Sequence, residues 1–474
     1  MKIKSSAHIN SFFKNVAILV SGASLGQVII VLSSPIITRL YSPEDFGIFA
    51  LFSAVLGIVA VVGALRYELA IPLPESENKS KFIVILCFLL MFFLALIIVI
   101  LEVIYGIFFD FYNLGISSFY VFLFPVAFIF LVSFSILNYW SIRNKNFSMI
   151  AIAGVIQASL ITIIQILFYK NGSNSLLLGY VLSYCAASIF LLIYSFKIEN
   201  FKINLKNNNI FNIAKRYKNF PLNNTWGALA GAIGSNSPFL ILGFYFDAFV
   251  AGFFLLAYRV LLAPFDVIAN GISRTFFSDA AEKVRSESIT GLINNVSIIL
   301  VRFSIVPLIV FMFVAPEIFS VIFGEKWYSS GTFSRWLVFT VAASFIVIPI
   351  SNGVLIVKEQ LGIALIFQVV ILIARVLSLI IFSLIFQDSL IAVIAYSVSS
   401  SIVYFGLLLW ILFDNKCDIK KYFQVLFKCI ILGIVLGIIV NEIKMLSTGL
   451  ALFVFILIIA VYFFTLYKKR VFNF

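Results

Sequence analysis

Three arginines stand where a charge is costly. Arg259, Arg302 and Arg375 each lie well inside a run of apolar residues long enough to cross a bilayer as a helix. A charge near the bilayer centre costs about 2.5–3.5 kcal/mol on insertion scales, so such residues mark functional positions. Arg259 is about 15 Å into its run at ~1.5 Å per helical residue. Asp266 follows it by seven residues and shares its helix face. Arg66 and Glu68 stand at the end of the second run, and Arg335 begins the tenth. Three guanidinium groups near one acid would form a cationic, water-filled cavity that attracts an anion. Guanidinium is suited to bidentate contact with phosphate. Arg259, Arg375 and Arg302 are therefore candidate substrate-binding residues, with Asp266, Arg66 and Glu68 supporting or coupling them. The structural alternative pairs Arg259 with Asp266 and Arg66 with Glu68, and lets Arg302 snorkel toward the membrane surface.

Most of the polar amides inside the runs, Gln27, Gln157, Gln165, Asn224, Asn236 and Gln368, are expected to bond helix to helix. Some of them would meet sugar hydroxyls. Prolines 125, 238, 264, 307 and 349 mark kinks or hinges. No metal or cofactor is expected. The four cysteines form no CxxC pair, and His8 is the single histidine.

The elements that position these residues follow from composition. The chain has 474 residues, 63% of them hydrophobic and 11% charged, with mean hydropathy +1.14. A soluble domain carries about 25% charged residues. The chain is thus an all-α polytopic membrane protein. Fourteen apolar runs are legible, at approximately 14–37, 46–66, 82–104, 117–139, 148–169, 176–196, 223–245, 249–271, 291–315, 332–356, 361–386, 389–413, 424–440 and 448–467. The second is mostly apolar as far as Ile71 and is expected to extend toward it. The net charge of +13 would suggest nucleic acid in a soluble protein. Here it sorts by side: 24 basic residues fall on the side holding the N-terminus and 4 on the other. That bias predicts cytoplasmic termini and no nucleic-acid partner. The first run is too long for a signal peptide and no cleavage motif follows.

The chain divides into a six-helix bundle at 1–200, a Lys-rich cytoplasmic linker at 201–222, a second six-helix bundle at 223–413 and two further helices at 414–474. Pro35-Ile-Ile recurs as Pro238-Phe-Leu, and Gly47-Ile-Phe-Ala-Leu as Gly252-Phe-Phe-Leu-Leu. The halves therefore read as parallel repeats about a membrane-normal axis, with a cavity between them.

The polar break between the first two runs reads TRLYSPEDFGIFAL, from Thr38 to Leu51. Ser42 is placed to cap the second helix, with Pro43 in its first turn and Glu44 and Asp45 at its positive end. This stretch resembles the polysaccharide transporter family of the multidrug/oligosaccharidyl-lipid/polysaccharide (MOP) exporter superfamily, the Wzx-type O-antigen flippases and their relatives. ALRYELAIPLPES (Ala64–Ser76), LAYRVLLAPFDVIANGISRTFFSDAAE (Leu256–Glu282) and APEIFSVIFGEKWYSSG (Ala315–Gly331) carry the same resemblance in the family's order.

The resemblance implies a flippase in the bacterial inner membrane. It would move an undecaprenyl-diphosphate-linked oligosaccharide between leaflets for O-antigen or capsule synthesis, among membrane lipids and alongside a polysaccharide polymerase and a chain-length regulator. Two halves rocking in alternating access would be the mechanism. With no nucleotide-binding motif, energy would come from an ion gradient or from consumption of the product. A membrane-embedded polymerase or ligase is the rival, and the lack of any long outer loop argues against it. A multidrug or lipid II exporter is the rival within the superfamily.

Overall fold

The computed structural model describes residues 25–108, 118–197, 210–286 and 289–468. The start of the first run (14–24), Lys2, Lys4, Lys14, His8 and the first part of the Lys-rich linker (201–209) lie outside them.

The described residues form helices and no strand. They are α1 (Leu25–Leu40), α2 (Pro43–Val61), α3 (Glu77–Phe108), α4 (Ser118–Arg143), α5 (Phe147–Leu167), α6 (Ser173–Lys197), α7 (Ile210–Arg216), α8 (Thr225–Tyr245), α9 (Ala248–Ser286), α10 (Thr290–Phe323), α11 (Tyr328–Val357), α12 (Leu361–Phe386), α13 (Ser389–Asp414), α14 (Ile419–Leu446) and α15 (Thr448–Lys468). Among the described residues, thirteen spans are long and apolar enough to cross a membrane, and α1 is a shorter apolar helix. Each of the fourteen apolar runs is thus matched by a helix. Several helices outrun their apolar stretch: α9 continues to Ser286 and α10 to Phe323. A hydropathy run marks only the part of a helix that lies in hydrocarbon.

The second run behaves differently from the expectation. α2 ends at Val61, and Leu65 and Arg66 take left-handed backbone angles, φ 47° and 62°. A one-turn 3₁₀ helix, Tyr67–Ala70, follows. Arg66 and Glu68 therefore lie beyond the helix. The stretch reads as membrane helix because Ala64, Tyr67, Ala70 and Ile71 are buried in a tertiary core with Phe82, Ile83, Phe128 and Trp140. Hydropathy does not distinguish burial in protein from burial in lipid.

The chain divides into two compact units at Asn236/Ser237. In the N-terminal unit, α6 packs against α2, α4 and α5. The break between α1 and α2 is held by side chains. Ser42 caps α2, accepting from the Asp45 N–H at 3.1 Å, while Asp45 Oδ2 accepts from the Ser42 N–H at 3.0 Å. Asp45 Oδ1 also accepts from the Ser173 N–H at 2.7 Å, so one carboxylate serves the N-termini of α2 and α6. Gly172 makes this approach possible. Its φ is +58°, and a Cβ there would stand 2.9 Å from Asp45 Oδ1. The buried Tyr41 donates to the Gln165 carbonyl at 2.5 Å and sits 3.0 Å from Ser175 Oγ. Gln165 Nε2 donates to the Leu176 carbonyl at 3.1 Å, a helix-to-helix bond of the expected kind.

In the C-terminal unit, α11 packs against α9, α10 and α13. Pro316 of α10 has no N–H to offer the carbonyl four residues back, Met312. Arg335 of α11 supplies the missing donor, Nε to Met312 O at 2.8 Å. α14 docks on α10 through a small-residue pair four apart, Gly433 and Gly437. A Cβ at Gly433 would meet Ile309 at 2.9 Å, and one at Gly437 would overlap the Phe313 ring. At the end of α14, Lys444 pairs with Glu317 at 3.2 Å and donates to the Phe313 carbonyl at 3.1 Å. Gly437→Leu is therefore expected to cost ~1–3 kcal/mol by overpacking, read as a lower Tm in detergent. Adding Phe313→Ala should restore most of it. A Tm unchanged by Gly437→Leu alone would refute the close contact.

Candidate functional site

The sequence singled out six charged residues, and the structure distributes them over separate places. Arg375 belongs to an i, i+4 stripe on α12, Ile371–Arg375–Leu379–Ser383, which is the buried face of a helix otherwise rich in exposed apolar side chains. That stripe faces α13. The hairpin joining them is fixed by Gln387 in the left-handed region, φ 49°, and by Asp388, whose Oδ1 caps α13 at the Leu390 N–H, 2.7 Å away. Three α13 residues four apart then meet the guanidinium. Nε donates to Ser400 Oγ at 3.2 Å and Nη2 to the Tyr404 hydroxyl at 3.3 Å. The Cζ atom lies 5.5 Å from the Tyr396 ring centre and 5.8 Å from that of Tyr404. Tyr258 of α9 adds a third phenol to the electrostatic surroundings of the arginine. Its ring stacks on Phe254 at 5.7 Å, and Phe254 meets Tyr396 edge-on. Arg375 is 8% exposed. Ring faces and neutral oxygens thus hold a buried cation, a setting in which cation–π contacts reach about 2 kcal/mol each.

Arg259 is half-buried and follows Tyr258 on α9, so its side chain points about 100° around the helix from the phenol that faces Arg375. Two turns on, Asp266 is exposed. It lines a small polar recess of about 60 Å³ with Asn270 and Ser273 of α9 and Ser344 and Asn352 of α11. Phe265 and Phe345 wall this recess, edge to face at 5.0 Å. Tyr258 lies within electrostatic reach of both Arg375 and Asp266.

Arg302 is elsewhere. Its backbone carbonyl accepts from the Tyr462 hydroxyl of α15 at 2.6 Å, and its charge acts on Cys429 of α14 and on Tyr462. It therefore faces the last two helices.

Arg66 and Glu68 form an ion pair at 3.3 Å in the N-terminal unit, beside Tyr139. Glu68 is buried, and its Oε2 has no hydrogen-bond partner. Burial raises its carboxyl above the ordinary range, against the lowering effects of its own backbone N–H and of Arg66. A carboxyl raised on folding contributes stability below its unfolded pKa of about 4.3, and loses it as pH climbs through the folded value. Glu68→Gln mimics the protonated form. Its Tm should match wild type near pH 4 and exceed it increasingly at higher pH. A glutamine variant less stable than wild type at pH 8 would mean that Arg66 holds the ionised carboxylate.

The residues around Arg375 were not singled out from the sequence, although Tyr396, Ser400 and Tyr404 at four-residue spacing gave a signal. Arg335 was noted without its reason, the proline opposite it.

A family model described as "Polysaccharide biosynthesis protein" matches residues 36–331. The chain belongs to that family. A search of the curated proteins finds no match. Among solved structures, the chain is similar to a lipid II flippase MurJ in its inward closed conformation. The identity is 15%, covering 95% of this chain and 99% of that one, with TM-score 0.71. It is also similar to an inward-facing MATE family multidrug resistance transporter of the MOP superfamily, at 17% identity, 85% and 97% coverage and TM-score 0.53. A MATE structure in complex with MaD3S gives 16%, 85%, 96% and 0.51. This polysaccharide biosynthesis family member is thus a multi-pass membrane protein, with a fold like that of the MurJ structure over 95% of its length.

Proposed function

We propose that this family member is a flippase which carries an undecaprenyl-diphosphate-linked oligosaccharide across the bacterial inner membrane for O-antigen or capsule synthesis. It transports rather than catalyses. The observation that carries this reading is the coincidence of a polysaccharide biosynthesis family match with the fold of a lipid II flippase across 95% of the chain. A diphosphate is anionic, and intramembrane cations on α9 and α12 suit it. Arg259 and Arg375 are assigned to attract the diphosphate. Arg302 on α10 adds to the positive field, and Asp266 and the Arg66–Glu68 pair are assigned to support or coupling. Asp266, Asn270, Ser273 and Asn352 at the small recess offer hydrogen-bonding groups of the kind sugar hydroxyls need. Both termini are assigned to the cytoplasm, following the charge bias. Partners are the lipid-linked substrate, membrane lipids, a polymerase and a chain-length regulator.

The second reading, a lipid II flippase, is favoured by the TM-score of 0.71. Deletion separates them. Loss of one surface glycan, with its lipid-linked repeat units retained on the cytoplasmic leaflet and normal peptidoglycan, is expected. Intact glycan in a clean deletion sinks the assignment. Short unpolymerised units on the surface indicate a polymerase, and halted peptidoglycan synthesis indicates lipid II.

A further inference from the structure

The N-terminal unit has a lateral cleft that the transport reading does not use. It lies between α3, α4 and α6, has a volume of about 420 Å³, and is lined by Val84, Phe88, Leu89, Trp140, Leu192 and Ser195 among others. That size falls within the range of about 300–1,000 Å³ typical of ligand pockets. Val84, Leu137, Trp140 and Ser195 form a floor that is at most 3% exposed. Leu89, Phe92 and Phe196 stand at the edges, each more than half exposed. The one hydroxyl on the floor is occupied internally, Ser195 Oγ donating to the Leu191 carbonyl at 2.9 Å. The lining therefore offers no polar group to a ligand. A peptide segment would leave its N–H and C=O groups unpaired there. A hydrocarbon chain would not.

One end of the cleft is basic. Lys81 is one turn before Val84 and Ile85 on α3, Arg143 is one turn beyond Trp140 on α4, and Lys197 follows Phe196 at the end of α6. Arg143 is fixed there by bonds to the Pro72 and Glu75 carbonyls at 3.3 and 3.2 Å, and Lys81 pairs with Glu77 at 2.6 Å. Lys197, Lys79 and Lys145 are exposed at the same end, against Glu75 and Glu77. The charge bias assigns this end to the cytoplasmic face. From it the α3 wall runs about 12 Å into the bilayer at ~1.5 Å per residue.

We infer that the cleft seats one acyl chain of an anionic phospholipid, with the headgroup held at the basic rim. The apolar recess takes the chain, and the rim selects the charge. The inference is independent of what the protein transports.

The test is lipid retention by the full-length protein, purified from membranes and exchanged into mixed micelles holding equal phosphatidylglycerol and phosphatidylcholine, read by native mass spectrometry. Wild type should retain phosphatidylglycerol preferentially. Lys197→Glu should lower that preference about fivefold or more, the factor carried by one basic residue near an anionic lipid surface. Leu89→Trp puts an indole into the cleft mouth and should abolish the retained lipid. Phe93→Trp, an exposed position on α3 outside the cleft, should leave it unchanged. Equal retention of the two lipids by wild type would overturn the proposal. So would full retention in Leu89→Trp, equal loss in Phe93→Trp, or displacement of the phosphatidylglycerol by equimolar undecaprenyl phosphate, which would give the cleft to a polyprenyl tail.

Discussion

Asp45→Ala should be the most damaging single substitution outside the apolar core, at about 2–4 kcal/mol: the carboxylate loses three charge-assisted hydrogen bonds, from the Ser42 N–H, the Ser42 hydroxyl and the Ser173 N–H, of roughly 1.5–3 kcal/mol each before water recovers about half. The carboxylate ties the α2 capping box with Oδ2 and the first turn of α6 with Oδ1. These sites are 128 residues apart in sequence. Removing it frees the N-termini of two helices at once, each with orphan N–H groups. Asp45→Asn keeps one carbonyl oxygen, so it can serve one helix end and should recover about half. Ser42→Ala removes only the local cap and should cost ~1 kcal/mol. Thermal unfolding of the purified protein reads all three. If Ser42→Ala and Asp45→Ala are equal, the bond to Ser173 contributes nothing and the α2–α6 tie is an incidental contact.

The same residues show what the sequence could reveal. Ser42, Pro43 and Asp45 announce a helix start locally, because capping is a matter of four consecutive residues. The second partner of Asp45 could not be read, since nothing local marks Ser173 as its neighbour. Helix number was legible because each span must carry its own apolar run. The end of α2 was not: Ala64 to Ile71 are apolar for the sake of a protein core, and Leu65 and Arg66 turn left-handed without a glycine to signal it. For the site, intramembrane arginines were visible as violations of cost, but their surroundings depend on which helices become neighbours. Arg302 faces α14 and α15 while Arg375 faces α13, a difference that rotation of each helix decides and hydropathy does not record. The i, i+4 recurrence of Tyr396, Ser400 and Tyr404 was the one sequence-level trace of the box around Arg375.

Arg375→Met separates a structural arginine from a transporting one. Methionine fills much of the same volume with a flexible apolar chain, and replacing a buried charge by a well-packed apolar residue is often neutral for stability or favourable. The enclosure by Tyr396 and Tyr404 suits this exchange, because methionine sulfur also packs well against aromatic rings. Abundance and Tm should therefore stay near wild type. Surface glycan should nevertheless fall by at least about tenfold if the charge draws the diphosphate, since a loss of only ~1.4 kcal/mol in substrate affinity has that effect. Arg375→Lys keeps the charge but not the fork that reaches Ser400 and Tyr404 together, so it should restore export in part. Arg375→Ala is the less informative change, because it leaves a cavity among three phenols and lowers stability whatever the role. Near-normal export from Arg375→Met at normal abundance would make the arginine a packing element. The anion-binding role would then rest on Arg259, the half-buried cation one residue beyond Tyr258. If Met and Ala both lose export while Lys restores it and abundance is held in Met and Lys, the positive charge itself is what the substrate requires.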